Sequence, residues 1–283
     1  MMLCEWQGRL WLRMGDCNRC GECCLGWGKG PCPHLVKHDY DKFECSIHEQ
    51  LASTPILEGW ANPPACAAWP TSPGDLSHLA FQNKCGFFFV PVPRILVACP
   101  TYDGKEYCAE KWLKAVKALD YPAEAITVLW VDNSETPGFY ERWRRRAPME
   151  RLELSHEDPM RRIALSMEHI RRRFLAGSYD RWFNLEADVI VPPETIKTML
   201  GFDRGWELDW LGMSYPRRED QEPGYAAFGC TMFSRRIAER HGFADCAAGS
   251  SPDGWWWHNK VKMDPDMRVA EYWGVLQLDH LNA

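Results

Sequence analysis

The chain has 283 residues and a formal net charge of −6, from 33 Lys and Arg against 39 Asp and Glu. Its 46% hydrophobic and 25% charged residues are typical of a globular protein and exclude extended disorder, collagen and a coiled coil. The acidic balance argues against a surface built wholly for nucleic acid. The length predicts two domains. No apolar stretch approaches the ~20 residues of a membrane span, and the start lacks an export signal, so we expect a cytoplasmic protein that is not secreted.

The first 66 residues hold eight of the 13 cysteines. A C-x2-C-x2-C-C run over residues 17–24 brings several thiolates together on one short, glycine-rich loop. Thiolates bind Zn²⁺ or iron–sulfur clusters, and a bound metal supplies the folding energy that a segment with little core lacks. Disulfides are the alternative, but no export signal accompanies them. We therefore predict a small metal-binding domain over residues 1–85.

Four separate pieces of this domain resemble the CxxCxxCC family of zinc- or iron-chelating domains. They are CNRCGECC at 17–24, CPHL at 32–35, CSIH at 45–48 and PACAAWP at 64–70. The resemblance implies a metal site, Zn²⁺ or an iron–sulfur cluster, with these ligands: Cys17, Cys20, Cys23, Cys24, Cys32, Cys45 and Cys66. Ala67 stands where the family usually has arginine.

Strand and helix patterns begin to alternate near residue 94, after a connector over residues 71–93 that contains one strand-like piece. We expect the domain boundary near residues 86–93. Residues 94–100 form a short apolar run that ends at a proline, which is typical of a buried parallel strand. Apolar residues at helical spacing follow over 105–119, and a second apolar run covers 126–131. Strand, helix and strand predict a parallel sheet with a right-handed crossover. We therefore predict an α/β domain with a Rossmann-like, mostly parallel sheet over residues 94–283.

Polar residues follow each of these predicted strands. Thr101 and Tyr102 follow the first, Asp132 ends the second, and Glu186-Ala187-Asp188 follows a third strand at 181–185. In open α/β sheets, ligands bind outside the carboxyl ends of the strands. Two carboxylates at i and i+2 suit one Mg²⁺ or Mn²⁺ that also holds a diphosphate. Acidic pairs on solvated loops are common, so the hypothesis of a cation site depends on the strands that precede this pair.

The three strand ends together resemble the nucleotide-sugar half of GT-A glycosyltransferases, particularly the large inverting family two. Ile95–Tyr102, Val128–Ser134 and Leu185–Pro192 match its P-x-Y start, V-D-N-S strand end and D-x-D metal motif. Glu186 replaces the usual first Asp. The resemblance implies a GT-A fold and a hexosyltransferase that uses Mn²⁺ or Mg²⁺ and a nucleotide-sugar donor, for which we expect a UDP-sugar such as UDP-glucose. It implies these donor-binding residues: Pro100, Thr101, Tyr102, Asp132, Asn133, Arg161, Arg162, Glu186, Ala187 and Asp188.

The second half of the domain continues the resemblance. Residues 229–236 are similar to the glycine-led strand that floors the acceptor site, and 251–257 lie where the family carries its E-D acid motif. Asp253 is therefore the expected general base, although Pro252 replaces the usual Glu. The end of the chain resembles a strand that supplies a further metal ligand, which gives the expected set Glu186, Asp188 and His280. An inverting transfer needs one carboxylate to accept the acceptor proton and a cation for the departing diphosphate.

The acceptor is predicted from a basic stretch and an aromatic run. Residues 142–173 hold ten arginines against five acids, which suits a polyanion or the donor diphosphate. Gly229, Trp255, Trp256 and Trp257 are the predicted acceptor residues, since tryptophan faces stack on sugars or extruded bases. Together with the cysteine module, they suggest a hydroxymethylated base in DNA, such as 5-hydroxymethylcytosine, as modified by some bacteriophage enzymes in the host cytoplasm. A glycan, a protein and a small molecule are the alternative acceptors.

Two other functions fit the same residues. The α/β part could be a nucleotide-binding shell without catalysis, joined to an iron–sulfur redox or binding module. A nucleotidyltransferase would also use an α/β sheet, two acids and a divalent cation. The products separate the enzymes: a glycosyltransferase releases a nucleoside diphosphate, and a nucleotidyltransferase releases diphosphate.

Overall fold

The computed structural model describes residues 2–6, 9–15, 35–38, 42–45, 87–154, 157–203, 208–213, 228–247, 249–272, 276 and 278–281. The chain divides into two compact units, Met1–Val92 and Pro93–Ala283. The side chains of the predicted cysteine ligands lie outside the described residues, so that metal site stays a prediction. In the part of the chain that is described, no helix is both long and apolar enough to span a bilayer.

The described residues of the first unit form two small antiparallel sheets. Their strands are β1 (Met2–Trp6), β2 (Arg9–Gly15), β3 (Leu35–His38), β4 (Lys42–Cys45) and β5 (Phe87–Pro91). One sheet has the order β1-β2-β5, and the other is the pair β3-β4. Part of the predicted connector is therefore a strand of the first unit, because β5 pairs with β2.

The second unit alternates strands and helices along the chain. Its elements are β6 (Ile95–Thr101), α1 (Glu106–Lys117), β7 (Ile126–Asp132), α2 (Gly138–Trp143), β8 (Met149–Arg151), α3 (Pro159–Ala176), β9 (Arg181–Leu185), β10 (Val189–Ile190), α4 (Thr195–Phe202), β11 (Trp210–Met213), β12 (Cys230–Ser234), α5 (Arg235–Arg240), α6 (Pro252–Trp256), β13 (Val269–Tyr272) and β14 (Asp279–His280). A 3₁₀ turn, Asp103–Lys105, precedes α1, and a π turn, Trp257–Val261, follows α6.

Seven of these strands form one sheet in the order β13-β11-β12-β9-β6-β7-β8. Strand β12 runs antiparallel to both of its neighbours, and the other pairs are parallel. This confirms the predicted α/β class with a mostly parallel sheet. In the register of β6 and β7, Thr101 lies opposite Asp132, so the polar ends of the two strands meet at one edge.

Burial of β6 explains why its sequence is a continuous apolar run. Every residue of Ile95–Cys99 is at most 1% exposed, because helices cover both faces of the central strands. On one side, the Trp112 indole of α1 donates to the carbonyl of Leu185 over 3.1 Å, which ties α1 to the end of β9. On the other side, Asp158 caps the N-terminus of α3, and its carboxylate accepts from two backbone N–H groups of the first turn.

Glu168 joins α3 to the segment that follows α5. Its carboxylate is buried and accepts hydrogen bonds from Arg171 and from the backbone N–H of Phe243, at 2.9 and 3.0 Å. Arg172 donates to its other oxygen. Burial alone would raise the pKa of Glu168, but these hydrogen bonds outweigh it and hold the pKa below its ordinary value.

Replacing Glu168 with alanine is expected to lower the free energy of unfolding at pH 7 by about 2–4 kcal/mol, because the Phe243 N–H and Arg171 lose a buried acceptor. Since the folded-state pKa is depressed, this stabilisation is present above the unfolded pKa and is lost as pH falls through the folded pKa, below about pH 4. Urea unfolding at pH 7 and in acid measures both effects. Glu239→Ala, which removes an exposed pair with Arg235, should cost less than about 1 kcal/mol; equal losses would contradict the account.

Candidate active site

A cavity of about 300 Å³ lies at the carboxyl ends of β6 and β9. Eight of the predicted site residues line it: Pro100, Thr101, Tyr102, Asn133, Glu186, Ala187, Asp188 and Asp253. The remaining wall is made by Lys105, Met160, Ile163, Met167, Asn184, Phe228, Ser251 and Pro252. The edge of the sheet predicted for ligand binding therefore carries a cavity of ligand size.

Asp132 holds the loop at the end of β7 and is not among the lining residues. Its buried Oδ1 accepts hydrogen bonds from the backbone N–H and the hydroxyl of Ser134. The same hydroxyl accepts from the N–H of Asp103 over 2.9 Å, which ties this loop to the turn after β6. Burial raises the pKa of Asp132, and the bonds from Ser134 oppose that rise. Its visible role is to position the two loops.

Tyr102 covers Gly104 at the start of the 3₁₀ turn. A Cβ atom added to Gly104 would lie 2.3 Å from the Tyr102 ring, so only glycine allows the ring to keep this position. The ring is 43% exposed and lines the cavity. The short turn also fixes Lys105, whose N–H donates to the Tyr102 carbonyl over 2.9 Å.

Asp188 is the most buried carboxylate of the cavity wall, at 3% exposure. A turn after β9 presents it, with the Val189 N–H donating to the Glu186 carbonyl over 3.0 Å. Its Oδ2 accepts a hydrogen bond from the Lys105 ammonium and lies 3.4 Å from His280 Nε2. Its Oδ1 is buried and has no hydrogen-bond partner. Oδ2 therefore has a cation beside it, and Oδ1 is a hydrogen-bond acceptor without a partner.

The pairing of β10 with β14 brings His280 to this carboxylate, because Val189 lies opposite His280. The predicted metal set is only partly assembled: His280 and Asp188 meet, and Glu186 lines the same cavity. Among the described residues, no group of three or more His, Cys, Asp or Glu side chains is arranged to hold a metal ion. Oδ1 of Asp188 has no hydrogen-bond partner, and the described wall carries three carboxylates but one ammonium. This arrangement suits a cation that takes its other ligands from phosphate and water, as Mg²⁺ does.

Burial and the carboxylates of this wall shift the pKa values of one neighbouring ammonium and two thiols. Burial would lower the pKa of Lys105, but its hydrogen bond to Asp188 outweighs that and raises the pKa, so the ammonium stays charged. Burial, together with the negative charge of Asp188, raises the pKa of Cys108 to about 11. Cys99 is fully buried and its pKa is raised by burial and by Glu186 and Asp188. Neither thiol is a thiolate at neutral pH.

Asp253 faces the cavity from the second half of the domain, at the start of α6. Its Oδ1 accepts from the Ser251 hydroxyl and from the Gly254 N–H, the latter over 2.8 Å. These two local bonds fix the orientation of the carboxylate. The position predicted for the general base is therefore on the wall of the same cavity as Asp188.

The predicted acceptor residues do not line this cavity. Trp256 is 1% exposed and stacks on Phe243 in the core, with ring centroids 5.0 Å apart, so its face cannot meet a substrate. Trp257 packs on Trp210, and Trp255 lies beneath Lys260. Gly229 contributes its carbonyl, which accepts from the Glu186 N–H over 2.9 Å, while the neighbouring Phe228 is the residue at the wall. The aromatic run therefore mainly builds the core beneath α6.

Arg161 and Arg162 also turn away from the cavity. Arg161 donates to the carbonyls of Ala244 and Cys246, at 2.6 and 3.1 Å, and Arg162 lies 3.3 Å from Glu135. The wider basic stretch has partners of the same kinds: Glu106 for Arg142, Glu141 for Arg144, Glu110 for Arg146, Asp132 and Glu153 for Arg151, Glu168 for Arg171 and Arg172, and Glu150 for Arg173. Several of these acids lie outside residues 142–173, so the local charge count overstates the free positive charge.

Lys105 is a charged residue of the cavity wall that the sequence prediction missed. It lies three residues after Tyr102, near the end of β6, and it is the one Lys or Arg among the described residues that line the cavity. This position in the sequence could have indicated Lys105 as a site residue, because a cation at this edge of the sheet meets the carboxylates that follow β9. Asn184 and Phe228 were missed as well, since nothing local distinguishes them from ordinary core residues.

No protein-family model matches the chain, and no curated protein sequence gives a significant match. Solved structures that resemble it include a mannosyltransferase from Pyrobaculum calidifontis in complex with GDP-Man and Mn²⁺, at 19% identity and a TM-score of 0.48, over 65% of this chain and 55% of that one. TarS from S. aureus, in complex with UDP-GlcNAc, is 15% identical with a TM-score of 0.39, over 52% and 46%. Glucosyl-3-phosphoglycerate synthase from Mycobacterium tuberculosis, in complex with Mn²⁺, UDP and phosphoglyceric acid, is 14% identical with a TM-score of 0.45, over 68% and 72%. The match thus spans about half the length of each of the first two proteins.

Proposed function

We propose that residues 94–283 form a glycosyltransferase that moves a sugar from a nucleotide sugar to an acceptor hydroxyl. The supporting observation is the convergence of three motifs that are far apart in sequence. Tyr102, Asp188 and Asp253 follow different strands or open a helix, and all three line one cavity at the carboxyl edge of the sheet. This combination of an aromatic platform, a cation-binding carboxylate and a second, separately held carboxylate is what a sugar transfer from a diphosphate requires.

The proposed mechanism divides the work between the two carboxylates. A divalent cation, Mn²⁺ or Mg²⁺, would supply positive charge for the departing diphosphate, with Glu186, Asp188 and His280 as its expected protein ligands. Asp253 accepts the proton of the acceptor hydroxyl while that oxygen bonds to the anomeric carbon. The bond from this carbon to the diphosphate breaks, and the nucleoside diphosphate leaves. Ser251 and Gly254 hold Asp253 by Oδ1, which leaves Oδ2 for the proton. A single displacement of this kind inverts the anomeric configuration.

The acceptor is proposed from sequence features outside the cavity. Hydroxymethylated DNA stays a hypothesis that comes from the basic stretch and the aromatic run. Nine of the ten arginines of that stretch have acidic or carbonyl partners, and Trp256 is buried, so the basic stretch offers less free charge and the aromatic run less stacking surface than their residue types indicate. A glycan, a protein and a small molecule are the alternative acceptors. A UDP-sugar is the donor we expect.

The test is product release from a panel of donors. Purified full-length protein with Mn²⁺ is given UDP-glucose, other UDP-sugars, GDP-sugars and nucleoside triphosphates, with and without hydroxymethylcytosine DNA. Release of a nucleoside diphosphate from one nucleotide sugar supports the proposal. Release of diphosphate from a triphosphate would instead select a nucleotidyltransferase, and no release from any donor would favour the binding-module alternative.

Replacing Gly104 with alanine is expected to raise the KM for the donor about tenfold, because the added Cβ displaces the Tyr102 ring that we propose stacks on the nucleoside base. The ring sits at the surface, so the melting temperature should hardly change. Gly201→Ala is the matched control, since a Cβ there meets nothing within 4 Å in α4. Steady-state kinetics of both variants measure the effect, and an unchanged KM for Gly104→Ala would exclude a donor contact by Tyr102.

The metal predicted for residues 1–85 is tested by the metal content and the colour of the purified protein. The described cysteines of the second unit, Cys99, Cys108, Cys230 and Cys246, are buried and free. Metal that withstands extensive dialysis of the full-length protein should therefore report on the predicted cysteine module. Stoichiometric zinc in a colourless protein would indicate a structural site, and a brown protein with iron and sulfide would indicate a cluster.

A further inference from the structure

We propose that Lys105 binds the donor diphosphate directly, so that the cavity holds a nucleoside diphosphate even without a divalent cation. This inference rests on the proposed function and adds a donor-binding residue to it. It assigns to the chain itself part of the positive charge that the diphosphate needs.

The position of Lys105 is fixed from both sides. Its backbone lies in the 3₁₀ turn before α1, where its N–H donates to the Tyr102 carbonyl and its own carbonyl accepts from the Cys108 thiol, at 2.9 and 3.0 Å. Its ammonium donates to Asp188 Oδ2, and its side chain is 25% exposed and lines the cavity. An ammonium has three N–H donors, and Asp188 takes one of them. The others are available to a ligand in the cavity.

The charge of the cavity makes this ammonium necessary. Glu186, Asp188 and Asp253 line it together with Lys105, so its lining residues carry more negative than positive charge. A nucleoside diphosphate is itself at least a dianion, and it would be repelled unless it met a cation. The guanidinium groups of Arg151 and Arg162 pair with Asp132 and Glu135, and neither residue lines the cavity. Among the described residues, Lys105 is therefore the cation best placed to meet the phosphates.

The contact with Asp188 gives that carboxylate a second role. It holds the flexible lysine stem in one direction, which lowers the entropy lost when the phosphates bind. The other oxygen of the same carboxylate, Oδ1, has no partner and stays available for a divalent cation. Lys105 and a metal ion would thus both contact the diphosphate, and the contact of Lys105 would not depend on the metal ion.

Calorimetric titration of the full-length protein with UDP and GDP, in EDTA and in Mn²⁺, tests the proposal. We expect wild type to bind one nucleotide in EDTA and more tightly in Mn²⁺. Lys105→Met should weaken binding in EDTA at least about tenfold, as expected for a lost hydrogen bond to a charged group, and Lys105→Arg should restore part of it. Lys111→Met, on the exposed face of α1, should bind like wild type.

Loss of Lys105 leaves Asp188 buried without its cation, so Lys105→Met could fold poorly. The double variant Lys105→Met/Asp188→Asn removes both charges and is compared with Asp188→Asn alone; binding in EDTA should be at least about tenfold weaker in the double variant. Equal affinity within each pair, or wild-type binding that strictly requires Mn²⁺, would overturn the role of Lys105 and leave the proposed function standing. Failure of both nucleotides to bind in either buffer would overturn the proposed function and this inference together.

Discussion

Replacing Asp188 with asparagine is expected to reduce sugar transfer at least about 10³-fold at saturating donor and Mn²⁺. The carboxylate is buried at the cavity wall, bonded to Lys105 through one oxygen and unpartnered at the other. Asparagine keeps its size and a hydrogen bond to Lys105 but loses the charge that holds a divalent cation. The loss should therefore fall on the departure of the diphosphate, and the fold should persist.

Asp279→Asn is the matched control for this prediction. Asp279 is exposed on β14, next in sequence to His280 and opposite Ile190, and it does not line the cavity. Its substitution should leave the kcat within about twofold of wild type, as expected for a surface change away from the site. Far-UV circular dichroism checks that both variants fold. An Asp188→Asn enzyme that keeps a tenth of the wild-type kcat would rule out the proposed cation site.

Replacing Asp253 with asparagine is expected to reduce the kcat by about 10²–10⁴-fold, the range for loss of a general base, with the KM for the donor nearly unchanged. Asparagine can still accept from Ser251 and Gly254, so the start of α6 should stay intact. What it cannot do is remove the acceptor proton. The affinity for the nucleoside diphosphate, measured by calorimetry, should match wild type.

Asp245→Asn is the control, because Asp245 forms an exposed ion pair with Lys260 and is not at the cavity. Its kcat should be unchanged. A parallel loss of nucleotide affinity and kcat in Asp253→Asn would assign Asp253 a role in holding the site together. An unchanged kcat would move the search for the base to Glu186, another carboxylate of the cavity wall.

The strands that carry the site could be predicted from sequence because each has a local signal. Residues 95–101 and 126–132 are apolar runs with a polar end, and parallel pairing brings such ends to one edge whatever the details of packing. The register confirms this, since Thr101 lies opposite Asp132. The predicted residues that line the cavity end a strand, follow one or open a helix, which are positions that a local sequence pattern can locate.

The remaining features depend on contacts between distant parts of the chain. The basic stretch at 142–173 was expected to suit a polyanion or the donor diphosphate, but Arg142 and Arg146 pair with acids of α1 that lie 36 residues away in sequence. Trp256 was predicted at the acceptor site, yet the short helix α6 turns it inward against Phe243. A local window contains neither the partner of a charge nor the side of a short helix that faces the core.

The most direct test of the account is a crystal structure of the full-length protein grown with UDP or GDP and Mn²⁺, with anomalous diffraction recorded for manganese. The account predicts one nucleotide in the cavity at the carboxyl ends of β6 and β9. Its diphosphate should lie within hydrogen-bonding distance of Lys105 Nζ. A manganese peak should lie beside Asp188, and Asp253 should face the space left for the acceptor. A nucleotide bound elsewhere, or a manganese ion without contact to Asp188, would contradict it.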